Sequence, residues 1–153
     1  VNSPPAHRSE HSVEVQVPFI QTIDPDAKIV PIVMRDQSMS FARTLATEIR
    51  KACEGYDAIV IASSDLSHYV PKEIATEMDG MVMSAVSRLD VPGMYSAIGE
   101  HGISACGYGP MAVAMEALAP KSAEALAYTD SWDSLEYDRS VVVGYGSAVF
   151  HGD

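Results

Sequence analysis

Apolar positions recur along this chain with two periods, and the change from one to the other predicts its elements. From Ser9 the run SEHSVEVQVPFIQTI places Val13, Val17 and Ile20 on one face at i, i+4 and i+7, which favours a helix, although Val13, Val15 and Val17 also suit a strand's alternation. Pro18 decides between them. In a central strand it removes a ladder hydrogen bond, whereas in a helix's first turns it only bends the path, so a short bent helix is expected. Lys28-Ile-Val-Pro-Ile-Val-Met34 predicts a strand that Pro31 confines to an edge or bulge. Ser40 to Cys53 carries Phe41, Leu45 and Ile49 at four-residue intervals, an amphipathic helix closed by Gly55. Asp57 to Ala62 contains an unbroken apolar run rich in β-branched residues, the signature of a strand buried on both faces. After Pro71, Ile74, Met78, Met81, Met83 and Val86 supply the apolar side of a helix reaching Leu89. Val91 to Ile98 and Gly107 to Leu118 predict two more helices. Glu124–Thr129 and Val141–Phe150 are the last strands, with Gly144 and Gly146 set where a bulge or close backbone approach requires them. Strands alternating with helices imply an α/β fold, here expected as a mixed, mostly parallel sheet covered by helices.

Length and composition narrow the function classes. A chain of 153 residues suits one domain, and 47% apolar with 20% charged residues marks it as globular. The formal net charge of −11, with no Lys/Arg cluster to oppose it, excludes phosphate-led binding to nucleic acid or an anionic membrane. No apolar run approaches the roughly 20 residues that span a bilayer, and no signal-peptide pattern opens the chain, so a cytoplasmic protein is expected. Cys53 and Cys106 read as separate thiols rather than a disulfide framework.

The candidate chemistry lies where apolar runs end. IVIASSDLSHY, from Ile59 to Tyr69, passes from a buried run into Ser63, Ser64, Asp65, Ser67 and His68. In open α/β sheets, ligands bind beyond the carboxyl ends of strands, so His68 is a candidate acid or base, with Asp65 near enough to fix its tautomer. The alternative is that Ser-Asp-Leu-Ser caps the next helix. A serine-hydrolase reading is weaker, because no G-x-S-x-G elbow surrounds these serines. Glu10, His11 and Glu14 share a turn that can orient a polar substrate, although carboxylates in a first turn also simply complement a helix dipole. The order E-H-x-x-E is not the zinc motif H-E-x-x-H. In Ala105-Cys-Gly-Tyr-Gly-Pro110 a thiol approaches a helix N-terminus between glycines, a setting for a nucleophile or soft metal ligand; a buried core thiol is the alternative. His101 and His151 read as exposed loop residues, and Trp132 as a cover for the core.

Taken together and in order, AHRSEHSVEVQVPFIQ, SSDLSHY, CGYGP and VVVGYGSAVF resemble the Memo-like family, known in prokaryotes as protein B of the AmmeMemoRadiSam system. The resemblance implies a fold similar to the class III extradiol ring-cleaving dioxygenases, whose non-haem iron sits between histidines and a carboxylate. It implies that Cys106 holds the position of the metal-ligating carboxylate. His68 matches the acid/base histidine, with Asp65 in the same turn, and Glu10, His11 and Tyr108 belong to the substrate pocket. Family members carry a further N-terminal segment with two histidine ligands, so this chain resembles the C-terminal part of a single Memo-like domain. Iron or copper is expected in the full-length protein and absent or weakly held in this chain, since transition-metal sites want three or four ligands.

Two classes of function follow. One is metal-dependent redox or oxygenase chemistry on a small substrate. The other is a non-catalytic module that binds a peptide or small partner in the same cleft, fold likeness alone being no proof of activity. In either case a sheet lacking neighbours is expected to be covered by self-association or by a second chain.

Overall fold

A computed structural model of the chain describes residues 4–136 and 138–152. In chain order its elements are α1 (Pro4–His7), a 3-10 turn (Glu14–Gln16), α2 (Val17–Ile23), α3 (Met39–Ala52), β1 (His68–Val70), α4 (Lys72–Ser87), α5 (Val91–His101), α6 (Tyr108–Ala117), β2 (Ser122–Asp130), α7 (Ser131–Leu135) and β3 (Val142–His151). They fall into two compact units, Val1–Asp36 and Gln37–Asp153.

In the first unit the short bent helix forms as the 3-10 turn running into α2, with Pro18 in the first turn, where its missing N–H costs nothing. The strand expected at Lys28–Met34 does not form. Among the described residues no strand runs beside it to complete a ladder, and Pro31 has no N–H to offer one. No described residue of this unit is buried, and Val30 is 85% exposed.

The second unit holds the core. Ser38 caps α3, its hydroxyl accepting from the Phe41 N–H, and Arg50 and Lys51 complement the dipole at the other end. The buried stripe of α3 is Ala42 and Ala46 rather than Phe41, Leu45 and Ile49, because small side chains let the helix sit close on α6. Helix α4 starts where Pro71 predicts. Its buried face, Ala75, Asp79, Val82, Ala85 and Val86, lies about one residue from the expected one and packs on β2 and β3. Asp90 caps α5 by accepting from the Gly93 N–H, and α5 ends on Gly102 in the left-handed region at φ 63°. Val82 and Met94 are fully buried, each worth about 1.5–3 kcal/mol over exposure.

The sheet has strand order β1-β3-β2, and both pairings are antiparallel. The mostly parallel sheet expected from the sequence is therefore corrected. β2 and β3 are joined by α7, a helix of only five residues, which is too short for the covering crossover a parallel pair requires. Ser122 to Asp130 pairs with His151 back to Gly144, with a register shift between Ala125 and Ala127. A second correction concerns Asp57–Ala62, which forms no strand. Among the described residues no strand pairs with it, and Ile59 and Ile61 are 81% and 50% exposed instead of buried on both faces.

Candidate functional site

The turn from Ser63 to His68 is the centre on which the second unit's polar chemistry converges. It does not cap α4, whose first residue is Lys72 after Pro71. Its middle is pinned to β3 instead: the Leu66 N–H donates to the Gly144 carbonyl at 2.9 Å, and the Gly144 N–H to the Ser67 carbonyl at 2.9 Å. β1 then begins with His68, and Tyr69 is bulged out of register at φ 57°, a left-handed conformation uncommon outside glycine.

Cys106 sits just before Gly107, the N-cap of α6, as the sequence predicts, and it is exposed rather than a core thiol. The Asp65 N–H points at its sulfur at 3.3 Å, the Ser64 hydroxyl lies 3.7 Å from it, and the Cys106 N–H donates to the Asp65 carbonyl at 3.3 Å. The flanking glycines prove necessary for packing within the chain: a Cβ on Gly107 would lie 2.7 Å from Ser64 Cβ, and one on Gly109 3.0 Å from Gln37 Cβ. Ser64 also accepts from the Gly107 N–H at 2.8 Å. Gln37 clamps the loop from the other side, its Nε2 donating to the Cys106 carbonyl and its Oε1 accepting from the Gly109 N–H, both at 2.9 Å.

Ser104 holds both the backbone and the ring of His68. The His68 backbone N–H donates to Ser104 Oγ at 2.8 Å, and ring Nδ1 lies 2.9 Å from the Ser104 carbonyl. A carbonyl can only accept, so Nδ1 carries hydrogen and Nε2 of the neutral ring keeps its lone pair. Nε2 is 3.7 Å from Asp65 Oδ2. Asp65 thus lies beside both partners: its N–H points at the thiol, and its carboxylate faces Nε2, with which it forms an ion pair only when the ring is protonated. Tyr145 on β3 completes the surroundings: burial, with the Asp65 and Asp130 carboxylates, raises its hydroxyl above the ordinary value and keeps it a donor.

Tyr108, expected in the pocket, packs its ring edge-on against Tyr95 at a centroid distance of 5.4 Å, while the Tyr95 hydroxyl donates to the Gln37 carbonyl. Glu10 and His11 belong to the first unit. There the Ser12 N–H donates to Glu10 Oε1 at 2.8 Å and, with the Ser12 hydroxyl, holds that carboxylate below its usual range. His11 Nδ1 lies 3.0 Å from Glu14 Oε2 in the open. A hollow of about 250 Å³ within that unit is lined by His7, Glu10, Val13, Glu14, Ile29 and Pro31. A larger one, about 450 Å³ and mainly apolar, adjoins the Cys106 turn at Ser64 and Leu66 and runs between Ile59–Ala62 and the far half of β3.

Sequence reasoning named Asp65, His68 and Cys106, which the structure brings close together, and did not name Ser104, which holds His68, or Gln37, which holds the Cys106 loop. Ser104 and Gln37 act over separations of 36 and 69 residues, which no local motif announces. Among the described residues no three His, Cys, Asp or Glu side chains converge to hold a metal ion. The described donors therefore do not make up an iron or copper site by themselves.

Residues 2–149 match the family described as Memo-like protein. The chain is 43% identical over 150 residues to a MEMO1 family protein of Methanobrevibacter smithii, covering 95% of this chain and 53% of the relative. It is 45% identical over 149 residues to a MEMO1 family protein of Archaeoglobus fulgidus, covering 95% and 56%. A MEMO1 family protein of Pyrobaculum aerophilum is 43% identical over 151 residues, at 95% and 53%. The chain spans about half the length of these relatives. With its sequence matched almost end to end, the chain belongs to the Memo-like family.

Proposed function

We propose that this chain supplies the thiol–imidazole side of an oxidoreductase site, similar to that of an extradiol-type dioxygenase and acting on a small substrate. The observation that carries the reading is the shared residue Asp65, which contacts Cys106 through its N–H and His68 through its carboxylate. In this reading His68 Nε2 moves a proton, its ring oriented by the Ser104 carbonyl. Cys106 offers a soft ligand or nucleophile whose sulfur is approached by the Asp65 N–H. Iron or copper would be held by Cys106 together with histidines from the part of the relatives that this chain does not match, since the residues described here do not complete such a site. The test is elemental analysis of a protein of the relatives' full length, with and without Cys106→Ala. Loss of iron or copper in the variant supports the reading, and unchanged metal content removes the metal from it.

A second reading rests on the apolar hollow beside Ser64, which suits an apolar or peptide ligand bound without turnover. A catechol probe with Fe(II), applied to the same full-length protein, separates the two. Ring-cleaved product counts against pure binding, whereas saturable binding without product counts against the oxygenase.

A further inference from the structure

Asp79 lies in the middle of α4 and is fully buried, as are Ser67 and Asp130. A carboxylate is costly to take out of water unless its oxygens are satisfied, and here they are. Oδ1 accepts from the Ser67 N–H at 2.9 Å and from the Ser67 hydroxyl at 2.6 Å; Oδ2 accepts from the Tyr128 hydroxyl at 2.9 Å. Burial and the adjoining carboxylate push that phenol far above its ordinary range, so Tyr128 stays a donor. Room for the arrangement comes from Gly144 of β3, where an added Cβ would fall 1.8 Å from Asp79 Oδ2. Three elements, α4, β2 and β3, therefore meet on one carboxylate, and two of its three bonds go to the residue immediately before His68.

We infer that Asp79 is a positioning residue for His68. By fixing both the backbone N–H and the hydroxyl of Ser67, it sets the chain direction that brings the next residue's ring Nδ1 onto the Ser104 carbonyl and turns Nε2 toward the Asp65 carboxylate. An apolar residue of similar volume would fill the same space on α4 but offer Ser67 no acceptor. This rests on the role proposed above for His68 and adds a residue 11 positions further along the chain that no motif marks.

The test reads the tautomer of His68 by long-range proton–nitrogen NMR, its signals identified among the five histidines by their loss in His68→Gln. In the parent chain His68 is expected almost wholly in the Nδ1–H form. Ser67→Ala removes one Asp79 bond, and Gly144→Ala displaces the carboxylate; in both, the Nε2–H form should rise to a comparable share. Asp79→Asn keeps an acceptor for Ser67, and the Tyr128 hydroxyl can turn to accept from its amide, so this variant should retain the parent tautomer. Ser67→Ala is the mildest change and decides the matter if Gly144→Ala does not fold. A folded Ser67→Ala protein with the parent's single tautomer overturns the positioning role while leaving that of His68 intact. A parent chain lacking the Nδ1–H form overturns both, independently of any metal measurement.

Discussion

Ser64 shows how much of the candidate site depends on single atoms. Its hydroxyl accepts from the Gly107 N–H, donates to the Asp65 carbonyl at 2.6 Å and lies beside the Cys106 sulfur, while its Cβ occupies the space a side chain at 107 would need. Gly107→Ala should therefore overpack this turn and cost about 1–3 kcal/mol in urea unfolding. Gly80 is the control, since a Cβ there meets nothing within 4 Å, so Gly80→Ala inside α4 should gain about 0.5–1 kcal/mol. Equal effects at the two positions would contradict the packing argument. Asp65, His68 and Cys106 stood out as candidates in the sequence because reactive side chains gather there in short motifs, and the structure places them near one another. Asp79 did not, since an acidic residue in an amphipathic helix reads as solvent-facing until the fold turns it inward against Ser67.

Helices were the legible elements, because each needs only its own periodicity and caps. α3, α4, α5 and α6 all form close to where apolar spacing and Pro71 place them. Strands need partners from elsewhere, and Lys28–Met34 and Asp57–Ala62 have the composition of strands without a described strand to pair with. β2 and β3 succeed because each supplies the other. Their far end is fastened to the start of α4 by Asp130, whose Oδ1 accepts from the Trp132 and Asp133 N–H groups at 2.9 Å and whose Oδ2 accepts from Lys72 Nζ at 3.0 Å. Asp133 also pairs with Lys72 and, with Asp130, raises the ammonium's affinity for its proton. Burial alone would raise the Asp130 carboxyl, but the Asp133 N–H and Lys72 outweigh it and hold it below the usual range. A depressed carboxylate adds stability that is fully present above its unfolded value, roughly 3.9, and is lost as pH falls through the lower folded value. Asp130→Asn should thus be least stable relative to the parent near neutrality, with the gap closing below about pH 3.9. A gap that is constant with pH in denaturant titrations would contradict the ion pair's role.

At the scale of the whole molecule, the second unit leaves a sheet edge open. β1 pairs with β3 only through Val142 and Val143, so from Tyr145 onward no described strand covers that side, and exposed Ile59 and Ile61 lie along the apolar hollow beside it. Two copies of an antiparallel edge can pair about a two-fold axis, so we expect this chain to self-associate there. The net charge of −11 opposes close approach, and association should strengthen with salt. In sedimentation velocity, Ile59→Lys with Ile61→Lys should restore a monomer; association unchanged in that variant would place the contact elsewhere. The proposed function centres on the convergence of Cys106 and His68 on Asp65, and its most direct test is the rate of Cys106 alkylation at neutral pH in a Cys53→Ser background, with and without His68→Gln. If the imidazole serves the thiol, the rate falls several-fold when His68 is replaced. Equal rates in the two proteins would show that the two groups do not work together.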